Sequence, residues 1–350
     1  MSGAATPPPR GRRRSRLWHH RAFLELWSAE TVSQLGSQVT LLALPLIAIR
    51  QLHATPFEVG ALSAVEFLPF LVVGLPAGVW VDRLRRRPIL VAGDIGRAAA
   101  LSSIPLAWEL HALTIWQLYA VGFVTGVLTV FFDVAYMAFL PSIVDGDDLP
   151  EGNAKLEISR SGAQIAGPGL AGLLVGVLTA PLAIAVDAAS FLGSAAFIGA
   201  IRTGETRPEP PHGERMRTQI AEGLRYVLGH RLLRPIALST ATSNLFSSVG
   251  AAVVLVYFVR RAGLGPGTIG LVLALANVGF LLGAAASTRL EQAFGVGRVI
   301  VLSTAMTAPF ALLVPVAPLE MVVPFAVAGQ LVWAFGQPVY NIAQVSLRQS

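Results

Sequence analysis

The sequence predicts an all-α, polytopic membrane protein, and three observations carry that prediction. Hydrophobic residues make up 54% of the 350 positions and charged residues only 13%, about half the charged share of a soluble domain. Mean hydropathy is +0.63. Apolar stretches close to the roughly 20 residues needed to cross a bilayer recur along the chain. In lipid each backbone N–H and C=O must be satisfied inside its own segment, so each stretch is predicted as a helix and not a strand.

Ten spans follow, at 22–49, 57–81, 88–108, 114–140, 158–179, 181–201, 233–259, 268–288, 298–317 and 321–345. Ahead of them, residues 1–21 form a basic arm with Pro7, Pro8 and Pro9 followed by Arg10, Arg12, Arg13, Arg14 and Arg16, a composition that favours disorder. The arm has the look of a signal-peptide n-region, but the apolar stretch behind it exceeds the roughly 7–15 residues of an h-region and no small-residue cleavage site closes it. It is predicted as a retained first span.

Arginine placement sets the orientation, because cytoplasmic loops are enriched in basic residues. Arg83, Arg85, Arg86 and Arg87 share one loop and the segment 202–232 holds more, whereas the hairpins 51–56 and 109–113 hold neither Lys nor Arg. The N-terminus is therefore expected inside, with Arg50, Arg260 and Arg261 as exceptions at the outer face. The formal charge of +6 belongs to loops flanking apolar segments, which points to anionic lipid and away from nucleic acid.

Between 202 and 232 the composition turns to Pro, Glu, Arg and His, marking a cytoplasmic linker. It divides a six-span half, 22–201, from a second part, 233–350, with four spans. Ser33, Gln34 and Leu35 parallel Ser243, Asn244 and Leu245. Pro56 with Gly60 parallels Pro266 with Gly270, Gly74 with Gly78 parallels Gly279 with Gly283, and Tyr136 parallels Tyr340. Order and offset are kept, so two parallel six-helix repeats are expected. The second repeat is then two helices short, and truncation of a twelve-helix protein is preferred over genuine loss.

The chain has no cysteine, which removes disulfides, thiolate metal sites and a cysteine nucleophile. His19, His20, His53, His111, His212 and His230 never pair at metal-ligand spacing within a span, and no metal or other cofactor is expected. Gly265-Pro-Gly267-Thr-Ile-Gly270 matches a dinucleotide pattern, yet it joins two spans and follows no strand, so it is predicted as a turn and helix start. Neither HExxH nor a serine, histidine and acid constellation occurs in the spans, and an enzyme is not expected.

Two stretches carry a mechanism. Gly78-Val-Trp-Val-Asp82-Arg83-Leu-Arg85-Arg86-Arg87 is a tight turn between spans 2 and 3 in which Gly78 allows close helix approach, Asp82 caps a neighbouring helix N-terminus, and the arginines meet carboxylates or lipid phosphates. Span 5 carries Gly162, then Gly167-Pro168-Gly169 and, further on, Gly172 and Gly176, a run that bends the helix and admits a second backbone.

The first stretch resembles the signature loop of the major facilitator superfamily, with Arg85 where that family usually has a second glycine. The resemblance implies a major facilitator fold and a conformational latch built from Gly78, Asp82, Arg83, Arg86 and Arg87. The Gly167, Pro168 and Gly172 run resembles the motif of the family's antiporters, with Ala163 and Ala171 replacing glycines, and implies export. Phe131-Phe-Asp133-Val-Ala-Tyr136 through Pro141, and Ser159-Arg160-Ser-Gly-Ala-Gln164 through Pro168, are similar to the bacterial branch of enterobactin exporters and macrolide efflux proteins.

Ionisable groups inside spans are costly and point to function. They include Glu30, Glu66, Asp94, Arg97, Asp133, Arg160 and Asp187 in the first half, while the four spans of the second part hold no acid. Asp94 and Arg97, three apart on one helix face, are expected to neutralise each other. Glu66 and Asp133 are the candidate proton carriers. Glu30, Gln34, Tyr136, Asn244 and Tyr340 are the candidate substrate-cavity residues, with interhelical hydrogen bonding as the competing role for the polar ones.

The expectation is a secondary transporter of a bacterial inner membrane, multi-pass, monomeric, with its N-terminus cytoplasmic. Its partners would be the lipid bilayer, protons and a small amphipathic organic compound such as a drug or siderophore. An uptake symporter or facilitator, and a non-transporting membrane sensor or assembly factor on the same fold, are the competing readings.

Overall fold

The computed structural model describes residues 16–202, 225–231 and 233–349. Every regular element among them is helical. In chain order the helices are α1 (Arg21–Arg50), α2 (Pro56–Val72), α3 (Gly74–Val81), α4 (Arg86–Glu109), α5 (Ile115–Ile143), α6 (Leu149–Leu178), α7 (Ala180–Ala200), α8 (Leu233–Val256), α9 (Pro266–Phe294), α10 (Val296–Thr307), α11 (Leu313–Val316) and α12 (Val322–Gln349). Seven apolar helices among the described residues are long enough to cross a membrane, and the protein is a multi-pass membrane protein.

Local chemistry accounts for the helix starts. Thr55 and Glu58 form a reciprocal capping box at α2, with Pro56 in the first turn, where its missing N–H costs nothing. The Thr114 hydroxyl accepts from the Gln117 N–H at the start of α5. Gly265 precedes Pro266 at the start of α9, as expected of a turn and helix start.

Three spans differ in detail from the sequence prediction. The span predicted at 57–81 is two helices, α2 and α3, broken at Val73. Pro76 explains the break, because it donates no N–H and its ring collides with the carbonyl four residues earlier. The span predicted at 298–317 is α10, a 3-10 segment Ala308–Leu312, and the single turn α11, with Pro309 inside the distorted stretch. In the fifth span, α6 begins at Leu149 and not near 158. Hydropathy marks only the lipid-facing part of a helix, and the preceding turns are polar, with Glu151 and Lys155 paired at 3.2 Å. Most of the predicted linker, residues 203–224 and 232, lies outside the described residues.

The helices alternate between a basic end, which carries Arg83 to Arg87, and a hairpin end, which carries the turns at 51–55 and 110–114. Core packing differs sharply between the ends. Toward the hairpin end a single cluster joins Ile47, Ala54 and Val59 of the first half to Phe258, Ile269 and Val314 of the second. Toward the basic end the described residues form two separate clusters. One holds Phe23, Leu90, Phe139 and Ile198, and the other holds Val299, Val339 and Ala343. Among the described residues the halves are thus sealed together at the hairpin end and packed separately at the basic end.

Candidate functional site

Glycines make the seal between the halves. A Cβ on Gly172 of α6 would fall 2.6 Å from the Pro266 carbonyl oxygen and 2.9 Å from the Gly270 Cα of α9. A Cβ on Gly270 would collide with the Pro168 carbonyl oxygen and fall 2.8 Å from the Gly172 Cα. Only residues without side chains permit this approach. Gly167, one turn and a residue earlier on α6, lies against the side chain of Gln38 on α1. Nearer the middle of the helices, Asn277 of α9 donates to the Gln164 carbonyl of α6 at 2.5 Å. Its role is the interhelical hydrogen bond, here made across the seam.

Two arginines complete the closure. Arg50, the last residue of α1, donates to the Leu264 carbonyl at 3.0 Å. Arg260, just beyond α8, donates to the Ala54 carbonyl at 2.6 Å. Each reaches the hairpin of the opposite half, and the register shift that carries Pro56 onto Pro266 also carries one bond onto the other. These are two of the three basic residues that broke the loop-charge rule, and both spend their charge on backbone carbonyls.

Below the seal lies a cavity of about 570 Å³ between the halves. Its wall is apolar, with Leu41, Phe67, Phe246, Phe258, Leu273 and Trp333, and its polar groups include Gln38, Ser63 and Gln330. Glu66 of α2 is the one charged side chain among the described lining residues. It faces the glycine surface of α5, where a Cβ on Gly122 would fall 3.0 Å from the Glu66 Cγ and a Cβ on Gly126 would fall 2.6 Å from the Glu66 carbonyl oxygen. No hydrogen bond or ion pair to the Glu66 carboxylate occurs among the described residues.

Glu66 also borders a second cavity of about 180 Å³ inside the first half, shared with Arg97, Asp187, Thr40 and Thr129. The Thr40 hydroxyl donates to Asp187, joining α1 to α7, and Ser190 donates to the other oxygen at 3.0 Å. A Cβ at Gly36 would collide with Asp187 and Ser190. Arg97 is paired with Asp94 at 2.5 Å, as the spacing predicted, and its guanidinium lies 4.3 Å from the Phe132 ring centroid and 4.2 Å from that of Phe191. Asp187 and Thr40 received no role from the sequence. Gly36 and Thr40, four apart on α1, were the available signal, but nothing in the chain says that α7 packs against that face.

The other predicted residues fall elsewhere. Asp133 lies on α5 within electrostatic reach of Arg97 and Arg160 and lines neither cavity. Glu30 is buried and accepts from Gln34 at 2.7 Å. Tyr136 stacks on Phe132 with its hydroxyl unpartnered. Glu30, Gln34, Tyr136 and Tyr340 lie outside both cavity linings, and the side chain of Asn244 lies outside the described residues.

At the basic end, Arg87 donates through Nε to the Ile198 carbonyl at 3.2 Å and through Nη2 to the Gly199 carbonyl, satisfying the last turn of α7. Asp82 is exposed, and the N-terminus of α4 has no side-chain cap, so the capping expected of Asp82 is absent from this conformation. Gly78 has open space beside it, and the close approach expected there is absent as well.

The sequence profile of the Major Facilitator Superfamily matches residues 26–349. The chain belongs to that superfamily. It is therefore of transporter type and not an enzyme. It is 25% identical over 274 residues to the uncharacterized MFS-type transporter YfiS of Bacillus subtilis, covering 77% of this chain and 64% of the relative. The multidrug efflux pump Tap of Mycolicibacterium fortuitum is 29% identical over 334 residues, 91% of this chain and 79% of Tap. Macrolide efflux protein A of Streptococcus pyogenes is 27% identical over 165 residues, 47% of this chain and 40% of that protein. The chain thus spans under two thirds of the length of YfiS and of the macrolide efflux protein. A crystal structure of the nucleoside transporter NupG superposes with a TM-score of 0.72 at 12% identity, covering 94% of this chain and 82% of NupG, a likeness of fold.

Proposed function

We propose that this chain exports a small amphipathic organic compound across a bacterial plasma membrane in exchange for protons, by alternating access. The observation that carries the proposal is the cavity of about 570 Å³ between the halves, mainly apolar and with Glu66 as the one charged side chain among its described lining residues. An apolar wall suits an amphipathic compound, and a membrane carboxylate without a cation beside it is a natural proton carrier. Asp133, which shares its surroundings with Arg97 and Arg160, is the second proton carrier in this reading.

The names of the relatives Tap and macrolide efflux protein A favour efflux over uptake. With the N-terminus cytoplasmic, the basic end is the inner one, and the conformation described is open inward. The halves 22–201 and 233–350 then rock as two parallel repeats joined by the linker 202–232. The paired Arg50 and Arg260 bonds, related by the repeat register, support that division. Gly78, Asp82, Arg83, Arg86 and Arg87 would latch the alternative, outward-open state, in which the basic ends come together.

The test is transport of a panel of dyes and antibiotics by the protein in proteoliposomes under an imposed pH gradient. Gradient-driven movement that Glu66→Gln or Asp133→Asn uncouples supports the reading. Movement that ignores the gradient refutes proton exchange, and movement only with uptake polarity refutes export.

A further inference from the structure

The cavity contains one formal charge and nothing on its described wall to neutralise it. Glu66 projects from the middle of α2, and its neighbours on α5 are Gly122 and Gly126, which bring no counter-charge. The one cation that shares a cavity with it among the described residues is Arg97, in the lining of the smaller pocket. Arg97 is already engaged by Asp94 and enclosed by Phe132 and Phe191, and the pocket between them also holds the acid Asp187. With Asp94 included, the groups around this pocket hold three carboxylates and one guanidinium. A carboxylate in a low-dielectric cavity must take up a proton or meet a cation. The aromatic side chains of Phe67, Phe246 and Trp333 line the same cavity, and aromatic faces attract cations and repel anions.

We infer that the cavity selects lipophilic cations, such as organic amines and quaternary onium compounds, that place their positive charge against Glu66 and their apolar groups against the aromatic wall. An anionic compound of the same size and shape is rejected, because it would bring a second negative charge to an unneutralised carboxylate. This deepens the proposed function, in that it rests on the cavity being the substrate site. Selection by charge at Glu66 requires neither a particular direction nor a particular coupling ion.

Tetraphenylphosphonium and tetraphenylborate are a matched pair for the test, being close in size and shape and opposite in charge. Equilibrium dialysis of each against the purified protein in detergent, with protein-free micelles subtracted, measures binding without a gradient. The expected result is that wild type binds tetraphenylphosphonium about tenfold or more tighter than tetraphenylborate. Glu66→Gln abolishes the preference, and Glu66→Asp retains it. Equal binding of the two ions by wild type, or a preference undiminished in a Glu66→Gln protein that still unfolds cooperatively, overturns the inference. Should Glu66→Gln fail to fold, the wild-type pair and Glu66→Asp decide the matter. Charge-selective binding alongside transport that ignores a pH gradient would sink the proton-exchange reading and leave this inference standing, and gradient-driven transport without charge selection would do the reverse.

Discussion

Gly172 and Gly270 cross backbone to backbone at the seam between the two halves, each standing where a Cβ on the other would need to be. Side chains here cannot be absorbed by rotation, since the obstructing atoms are main chain. Gly172→Val or Gly270→Val is expected to hold the hairpin end apart, at a cost of about 1–3 kcal/mol typical of overpacking, and to abolish transport while leaving each half folded. The chain contains no cysteine, so introduced thiols are unambiguous. Spin labels at Phe57→Cys and Gly267→Cys, both exposed, should report a longer distance in the valine variants than in the parent.

Arg50 and Arg260 hold the same closure from the surface. Each donates to a carbonyl of the opposite hairpin, and because both sites are partly open to water each bond contributes about 1 kcal/mol, less than a fully buried charged hydrogen bond. The double Arg50→Ala, Arg260→Ala variant is expected to shift the conformational equilibrium toward opening at the hairpin end by roughly thirtyfold, if the two terms add. Each single variant should shift it by the square root of that. The label pair described above reads the populations, and an unchanged distance distribution in the double variant would show that glycine packing alone closes this end.

Much of the fold was legible because lipid enforces a simple rule. Residues such as those of 115–143 must be helical wherever they are apolar for long enough, and the helix found there is close to the one predicted. The breaks at Val73 and Thr307 were not predicted, because apolar composition continues through them and the prolines act through local sterics. The candidate site was legible in part. Glu66 stood out as an acid deep in a span, and it does line the cavity. Glycine matching pointed in two directions. Gly270, met first as part of a turn, is a contact across the seam. Gly279 and Gly283 lie against the Leu331 and Phe335 carbonyls of α12, while their sequence counterparts Gly74 and Gly78 touch nothing. Between α2 and α5 the small residues sit on the partner helix, as Gly122 and Gly126. Sequence repeats show which positions correspond, but which of two crossing helices yields space is decided by packing.

Thr179 is the single residue between α6 and α7, with φ 83° and ψ 157°, a region that only glycine occupies comfortably. Its side chain is exposed. Thr179→Gly is expected to relieve the strain and stabilise the first half by about 1 kcal/mol, with the entropy of the unfolded glycine offsetting part of the gain. Thermal unfolding in detergent checks this, and a lower midpoint than wild type would mean that the turn is not strained.

Arg97 carries the largest electrostatic stake in the first half. The residue is 3% exposed, its Asp94 partner is fully buried, and the rings of Phe132 and Phe191 flank its guanidinium. A pair of this kind contributes little compared with apolar residues of equal volume, because both charges have left water, but a half-broken pair leaves one charge without compensation. Asp94→Asn is therefore expected to destabilise the protein by about 3–5 kcal/mol. The double Asp94→Asn, Arg97→Met variant, which removes both charges and keeps a long apolar side chain between the rings, should recover most of that loss. Asp187 shares the small pocket with Arg97, so the Asp94→Asn variant still has one carboxylate nearby. Asp94→Asn combined with Asp187→Asn should then be less stable than the sum of the two single losses. Unfolding midpoints of the four variants measure the coupling. A double-charge removal as damaging as Asp94→Asn alone would show that the guanidinium is held by its stacking between the two rings, with the salt bridge secondary.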